Sequence, residues 1–343
     1  MTELEDTGNN FNRFSMLYLN ESGRFIDPDG ERGDEPRAID SEELPRFLKR
    51  YVNIGEGTTD VFVWVHGWQN DELRAVTTAR RLFVNLDNWF SQEHYRYPRL
   101  GKIIPAFVAV HWPSSSTPGI LGYKKIRKRA SRMITRGEAE FFLAFLLGYL
   151  DEGNVRAPDR KVLRARGGYY VHCLGHSFGG RFLTAAIKVA ATPRAHIQKM
   201  LAAARRDTGF AFNVDSLCVL QMAAGAKAFG SEFSSLLKTG PLCGPIVLTF
   251  STEDRALCTW HKIGEAEIGI GCEGAAAPAN SIGSLSLRPV DNSYIESDFA
   301  HDITNVDASR FFTTGGWAEG GHSDFWHTET LHLIASIVEQ VHS

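Results

Sequence analysis

Tyr169-Tyr170-Val171-His172-Cys173-Leu174-Gly175-His176-Ser177-Phe178-Gly179-Gly180-Arg181 is the stretch whose reading decides the fold. Its first six residues form a mainly apolar run bounded by glycine, the pattern of a strand buried on both faces. Beyond it, Phe182, Ala185, Ala186 and Val189 recur at helical spacing and stop before Pro193. Between the two stands G-x-S-x-G. In a tight strand-to-helix turn the serine takes a strained backbone conformation that neighbouring side chains would crowd. Gly175 and Gly179 remove those side chains, and Gly180 lets the helix approach the sheet. The Ser177 oxygen then stands at the C-terminal sheet edge and at a helix N-terminus, where developing negative charge is favoured.

The same alternation extends in both directions. Val61–Val65, Ile103–Val110, Leu217–Met222, Ile246–Phe250 and Ile303–Val306 read as strands. Helices are predicted after Asn70 or Asp71 as cap, through Ala130 to about Leu150, over Ala226–Leu237 and over Thr328–Val341. Strands separated by helix-length crossovers predict an α/β fold, a mostly parallel central sheet with helices on both faces. Upstream, residues 1–55 read as a strand over Phe14–Leu19, a loop or hairpin over Glu21–Pro36 and a short helix over Ser41–Tyr51 capped by Ser41. This segment is expected to pack on a main domain spanning 56–343. The short interval between the Leu217 and Ile246 strands leaves no room there for a large cap domain. Gly264–Ser286, rich in Gly, Ala and Ser, reads as a loop.

The chain has 343 residues, 43% of them hydrophobic, and a formal net charge of -3. That length suits one large core, and that charge gives no global field for nucleic acid. The acidic start Met1-Thr2-Glu3-Leu4-Glu5-Asp6 lacks the basic and apolar regions of a secretory signal, so a cytoplasmic location is expected. No apolar run reaches membrane-spanning length; Phe141–Leu150 is too short. The five cysteines, Cys173, Cys218, Cys243, Cys258 and Cys272, show no metal-type spacing and are expected to be reduced.

Three further stretches carry chemistry. His66-Gly67-Trp68 follows the Val61–Val65 strand, where a second oxyanion donor is needed; Trp68 N–H and Phe178 N–H are the candidates. Glu253-Asp254 follows the Ile246–Phe250 strand and offers the carboxylate that orients a histidine; Asp254 is preferred, with Glu253 as the alternative. Gly320-Gly321-His322-Ser323-Asp324 places a histidine on a glycine-flanked loop before the last helix. His322 is preferred as general base over His301, which opens a strand at the wrong sheet edge. The order Ser177, Asp254, His322 suits this fold and differs from both protease orders.

With these residues in place, the chain resembles the α/β-hydrolase superfamily from roughly Asp60 to its C-terminus. Within it, the chain is similar to a microbial branch carrying an H-G-W loop (His66-Gly67-Trp68), W-P-S (Trp112-Pro113-Ser114), then a Tyr and an Ala on the next helix (Tyr123 and Ala130). Later motifs of that branch match Asp307-Ala308-Ser309 and Gly321-His322-Ser323-Asp324. The resemblance implies the α/β-hydrolase fold and, by motif position, the same Ser177, Asp254 and His322. It supplies no substrate.

The expected function is a serine hydrolase that cleaves a carboxylic ester or thioester through an acyl-enzyme, with no cofactor and no metal. Acyl transfer on the same triad, or a silent scaffold on the same fold, are the alternatives. His66, Gly67, His176, Trp112 and Tyr123 are candidates for lining a small-molecule acyl site. Lys124-Lys125-Ile126-Arg127-Lys128-Arg129, with Arg132 and Arg136, form a basic cluster that reads as a solvated helix face or as an anionic-surface contact.

Overall fold

A computed structural model describes residues 14–29, 36–117, 119–152, 168–191, 210–237, 240–265, 267–315 and 320–342. The first 13 residues, and the tip of the Glu21–Pro36 segment at 30–35, lie outside the described residues.

Apolar runs with β-branched residues pair side by side into one sheet. The strands are β1 (Phe14–Tyr18), β4 (Asp60–Val65), β5 (Pro105–His111), β6 (Tyr170–His176), β7 (Ser216–Leu220), β8 (Ile246–Phe250), β9 (Ile282–Ser286) and β10 (Ile303–Asp307). Their order is β1-β5-β4-β6-β7-β8-β10-β9, and every pairing is parallel. A small antiparallel pair, β2 (Ile26–Asp27) with β3 (Arg37–Ala38), follows β1.

Side chains alternate across a strand, so each central strand feeds two cores. Val61, Val63 and Val65 of β4 join Val171, Cys173 and Val219 in one cluster. That cluster is closed by α1 (Leu44–Tyr51), α3 (Ile120–Thr135), α4 (Ala139–Glu152) and α5 (Phe178–Ala191). Phe62 and Trp64 point the other way, with Leu174 and Cys218. There they meet Leu82, Phe83 and Leu86 of α2 (Glu72–Gln92) and Leu333 and Ile337 of the last helix, Thr328–Val341. The α/β architecture expected from the alternation is therefore present, with helices on both faces of a parallel sheet.

Several local expectations need correcting. The helix expected through Leu150 is two helices, because Gly137 closes the first by donating its N–H to the Arg132 carbonyl at 2.8 Å. No helix spans Ala226–Leu237; it holds short 3-10 turns at Ala228–Gly230 and Ser234–Leu236. Gly225 and Gly230 weaken a helix there, and Ala226 N–H is bonded instead to the Ile268 carbonyl at 3.0 Å. Gly264–Ser286 is not a plain loop. It begins in α6 (His261–Glu265) and contains α7 (Ile270–Glu273) and the edge strand β9; residue 266 lies outside the described residues. The final helix, Thr328–Val341, is α8 and has the expected bounds. Asp40 rather than Ser41 occupies the cap position before α1's leading turn, and the Glu43 carboxylate accepts its N–H at 3.1 Å.

The cysteines also depart from expectation. Cys258 and Cys272 are joined in a disulfide, while Cys173, Cys218 and Cys243 carry thiols. The chain after β8 folds back on itself, with Gly269 N–H on the Leu257 carbonyl at 3.3 Å and Ser251 N–H on the Gly271 carbonyl at 2.9 Å. Reading that stretch as a loop hid the approach of the two thiols. No described helix is long and apolar enough to cross a membrane.

Candidate active site

Ser177 stands between β6 and α5, with φ 54°, a left-handed value that a non-glycine residue adopts only under constraint. Two bonds hold it there. Its N–H donates to the Leu220 carbonyl of β7 at 2.9 Å, and its own carbonyl accepts from Arg181 N–H at 3.4 Å. The turn closes because Gly175 and Gly180 face each other: a Cβ on Gly175 would lie 2.5 Å from Gly180 Cα.

The three residues singled out along the chain come together at this turn. His322 Nε2 lies 2.9 Å from Ser177 Oγ, and His322 Nδ1 lies 2.7 Å from Asp254 Oδ2. All three are buried, at 1% exposure for Ser177, 4% for His322 and 0% for Asp254. Burial pushes the Asp254 carboxyl up, against the opposing pull of His322 and of backbone N–H groups. Its Oδ1 accepts Leu257 N–H at 2.9 Å. Glu253 is exposed and contributes its backbone: its carbonyl accepts Gly321 N–H at 2.9 Å, tying the acid loop to the histidine loop. His301 is exposed and sits before β10, at the opposite sheet edge.

The loop after β4 that carries Trp68, the candidate donor loop, lies against the same turn. A Cβ on Gly67 would fall 2.6 Å from His176 Nδ1 and 2.9 Å from Ser177 Cβ, so glycine is required for the approach. Asn70 Nδ2 binds the Gly67 and Trp68 carbonyls at 3.2 and 2.9 Å, and Ser114 Oγ donates to the Asn70 carbonyl at 2.8 Å. These contacts fix the peptide whose N–H belongs to Trp68. Neither that N–H nor Phe178 N–H, the first of α5, donates to a protein acceptor among the described residues. The Trp68 ring packs edge-on against Tyr123 and Trp260, with centroids at 5.7 and 5.9 Å, and its Nε1 donates to Ser116 Oγ at 2.7 Å.

The other lining candidates are inside the protein. His176 donates from Nε2 to the His322 carbonyl at 2.8 Å and stacks near its ring, with centroids 4.8 Å apart. Burial and the neighbouring His322 hold His176 well below the ordinary imidazole range, so it is neutral. His66 is bonded to His111 (Nε2 to Nδ1, 2.9 Å) and lies flat on Trp112; burial and His111 bring its pKa down to about 3. The buried Trp112 ring also packs on Phe182 at 5.0 Å. Tyr123 places its hydroxyl 2.7 Å from His261 Nδ1.

Gln221 was not singled out by the sequence. It follows β7 with φ 51°, is fully buried, and donates from Nε2 to Asp254 Oδ2 at 3.1 Å and to the Gly321 carbonyl at 3.0 Å. It therefore clamps the acid to the loop that bears His322. The D-x-S and G-H-S-D motifs also brace loops. Ser309 Oγ accepts Thr252 N–H at 3.0 Å, and Asp324 Oδ2 accepts Thr313 and Thr314 N–H at 3.0 and 2.8 Å. In the basic cluster, Arg127 pairs with Glu265 at 3.5 Å and Arg129 with Glu21 at 2.9 Å, while Lys124, Lys125 and Lys128 are exposed.

No family model matches the chain, and no curated protein matches it. Among solved structures, phospholipase PlaB from Legionella pneumophila in complex with thio-NAD is similar over 67% of this chain and 46% of that one. The identity is 12% and the TM-score 0.27, and the match spans less than half of that protein's length. A likeness at that score carries no argument about activity.

Proposed function

We propose that the chain is a serine hydrolase that cleaves a carboxylic ester or thioester, with Ser177 as nucleophile, His322 as general base and Asp254 as its orienting acid. The observation that carries this reading is the unbroken relay from Ser177 Oγ to His322 Nε2 at 2.9 Å and from His322 Nδ1 to Asp254 at 2.7 Å, at a serine with φ 54°. In the reaction, His322 Nε2 takes the Ser177 hydroxyl proton as Oγ bonds to the acyl carbon. The carbonyl oxygen becomes an oxyanion facing Trp68 and Phe178 N–H. The intermediate collapses, the leaving oxygen or sulfur departs with the proton from His322, and an acyl-Ser177 ester remains. Water, deprotonated by His322, then attacks that ester and releases the acid. Asp254 keeps the proton on His322 Nδ1, which frees Nε2 to accept.

Treatment with a fluorophosphonate probe and peptide mapping tests the assignment. The expected adduct is on Ser177, absent in Ser177→Ala and strongly reduced in His322→Ala. Folded wild-type protein that takes no label, and turns over nothing in an ester and thioester panel, would refute it.

A further inference from the structure

A second buried constellation lies at the other end of the sheet. Asp60 opens β4, His172 lies in the neighbouring β6, and His342 follows the last turn of α8. His172 is five residues before Ser177, roughly 17 Å along an extended strand, so this cluster is separate from the candidate active site. His172 Nε2 is 3.0 Å and His342 Nε2 2.7 Å from the same oxygen, Asp60 Oδ1. The three ligand atoms all lie within 4.8 Å of one another. The side chains are 0–2% exposed.

We propose that Asp60, His172 and His342 form a binding site for one divalent metal ion of the zinc class, which fastens the end of α8 to the sheet. Two imidazole nitrogens and one carboxylate oxygen are the donor set that suits such an ion. Ligands about 2.0–2.1 Å from a tetrahedral ion stand about 3.3 Å apart, so entry of the metal lengthens the two Asp60 contacts by about 0.3 and 0.6 Å and brings the two imidazole nitrogens, which lie within 4.8 Å of each other, to that spacing. The supporting groups are also in place. A metal-bound Nε2 leaves the proton on Nδ1, and His172 Nδ1 lies 2.8 Å from Ser216 Oγ, which accepts it. The other carboxylate oxygen, Asp60 Oδ2, accepts from Thr59 Oγ1 at 2.6 Å, and Thr59 Oγ1 is itself fixed by Ile104 N–H at 2.8 Å. Tyr170 covers the His342 ring, with centroids 4.3 Å apart. The ligands are 112 and 282 residues apart in sequence, which is why no spacing motif announces them.

The test uses full-length protein stripped with a chelator, dialysed, and titrated with zinc chloride by calorimetry, with bound metal counted by elemental analysis. One equivalent per chain is expected. His342→Ala and His172→Gln should lose it, by more than the roughly 10–100-fold that removal of a supporting residue costs, and Ser216→Ala should fall in that smaller range. Zinc should raise the melting temperature of the wild type and leave both ligand variants unmoved. X-ray absorption at the zinc edge of the wild type, which needs no variant to fold, should count two imidazoles. No uptake by the wild type, uptake undiminished in both ligand variants, or a shell without two imidazoles would overturn the site.

Discussion

Among the described residues three non-glycine residues adopt positive φ, each at the end of one of three adjacent strands: Gln69 at 64°, Ser177 at 54° and Gln221 at 51°, after β4, β6 and β7. Strain at successive strand ends aims backbone and side chains at one point, and the surrounding bonds hold it. Ser177 could be found in the sequence because its strain needs glycines on both sides. Asp254 and His322 could be found because chain order limits where they fall. Gln221 could not, since a lone glutamine after an apolar run carries no periodicity and no flanking signature. Gln221→Asn tests its role: asparagine tolerates the left-handed backbone but is one methylene too short to reach Asp254. A hydrogen bond to a charged group is worth about 1.5–3 kcal/mol, so the rate of Ser177 labelling and kcat should fall about 10–100-fold. KM should hardly change, because the acid and not the binding surface is loosened, while loss of two buried bonds also lowers the melting temperature. A lowered melting temperature with labelling rate and kcat unchanged would mean that Gln221 only packs. Gly67→Ala tests the donor loop. A methyl 2.6 Å from His176 Nδ1 must displace the loop or the turn. A shift near 1 Å at such a site costs about 100-fold, read as labelling rate at unchanged far-UV circular dichroism.

At the scale of elements, α8 and the central strands were legible because apolar period and length agreed there, as in Thr328–Val341 and Ile246–Phe250. Segments whose form is set by distant partners were not. The Ala226–Leu237 backbone is drawn into bonds with the chain around Glu267 and Ile268, and β9 is a half-exposed strand that takes its place by pairing with β10. Nothing local to either stretch encodes those partners. Where the signal is a single side chain on its own turn, the sequence does speak. Asn70 and Asp71 were equal candidates to begin α2; Asp71 accepts Arg74 N–H at 2.8 Å, and Asn70 serves the donor loop instead. Asp71→Ala should therefore cost about 1 kcal/mol of stability in denaturant unfolding. It should leave the labelling rate intact, since the cap lies outside the relay. Asn70→Ala should do the reverse, slowing labelling more than it lowers the unfolding midpoint, because two carbonyls of the donor loop lose their clamp.

For the molecule as a whole, the buried histidines couple folding to acid. Burial, aided at His66 by His111, brings His66 to about 3; burial brings His111 to about 4, and burial aided by Arg181 and Arg127 brings His261 to about 4, from an ordinary value of 6.5. His176 is shifted the same way. Below pH 6.5 the unfolded chain binds protons at these positions and the folded chain does not. Their contribution to stability is therefore complete above 6.5 and is lost as the pH falls toward 4. Each group can change stability by up to about 1.4 kcal/mol per pH unit in that window. The carboxylates act elsewhere or in the opposite sense. Asp60, held low by His172 and His342 despite its burial, contributes stability that is complete above its ordinary 3.8 and is lost only as the pH falls below it. Asp254, raised by burial, binds its proton more readily when folded and offsets at most one histidine as the pH falls. Denaturant unfolding at pH 7.5, 6.5, 5.5 and 4.5 should show a midpoint that is level above 6.5 and falls steadily below it. A flat midpoint down to 4.5 would mean that the histidine sites open to water before the fold is lost, and the closed packing around His66, His111 and His176 would then not persist in solution.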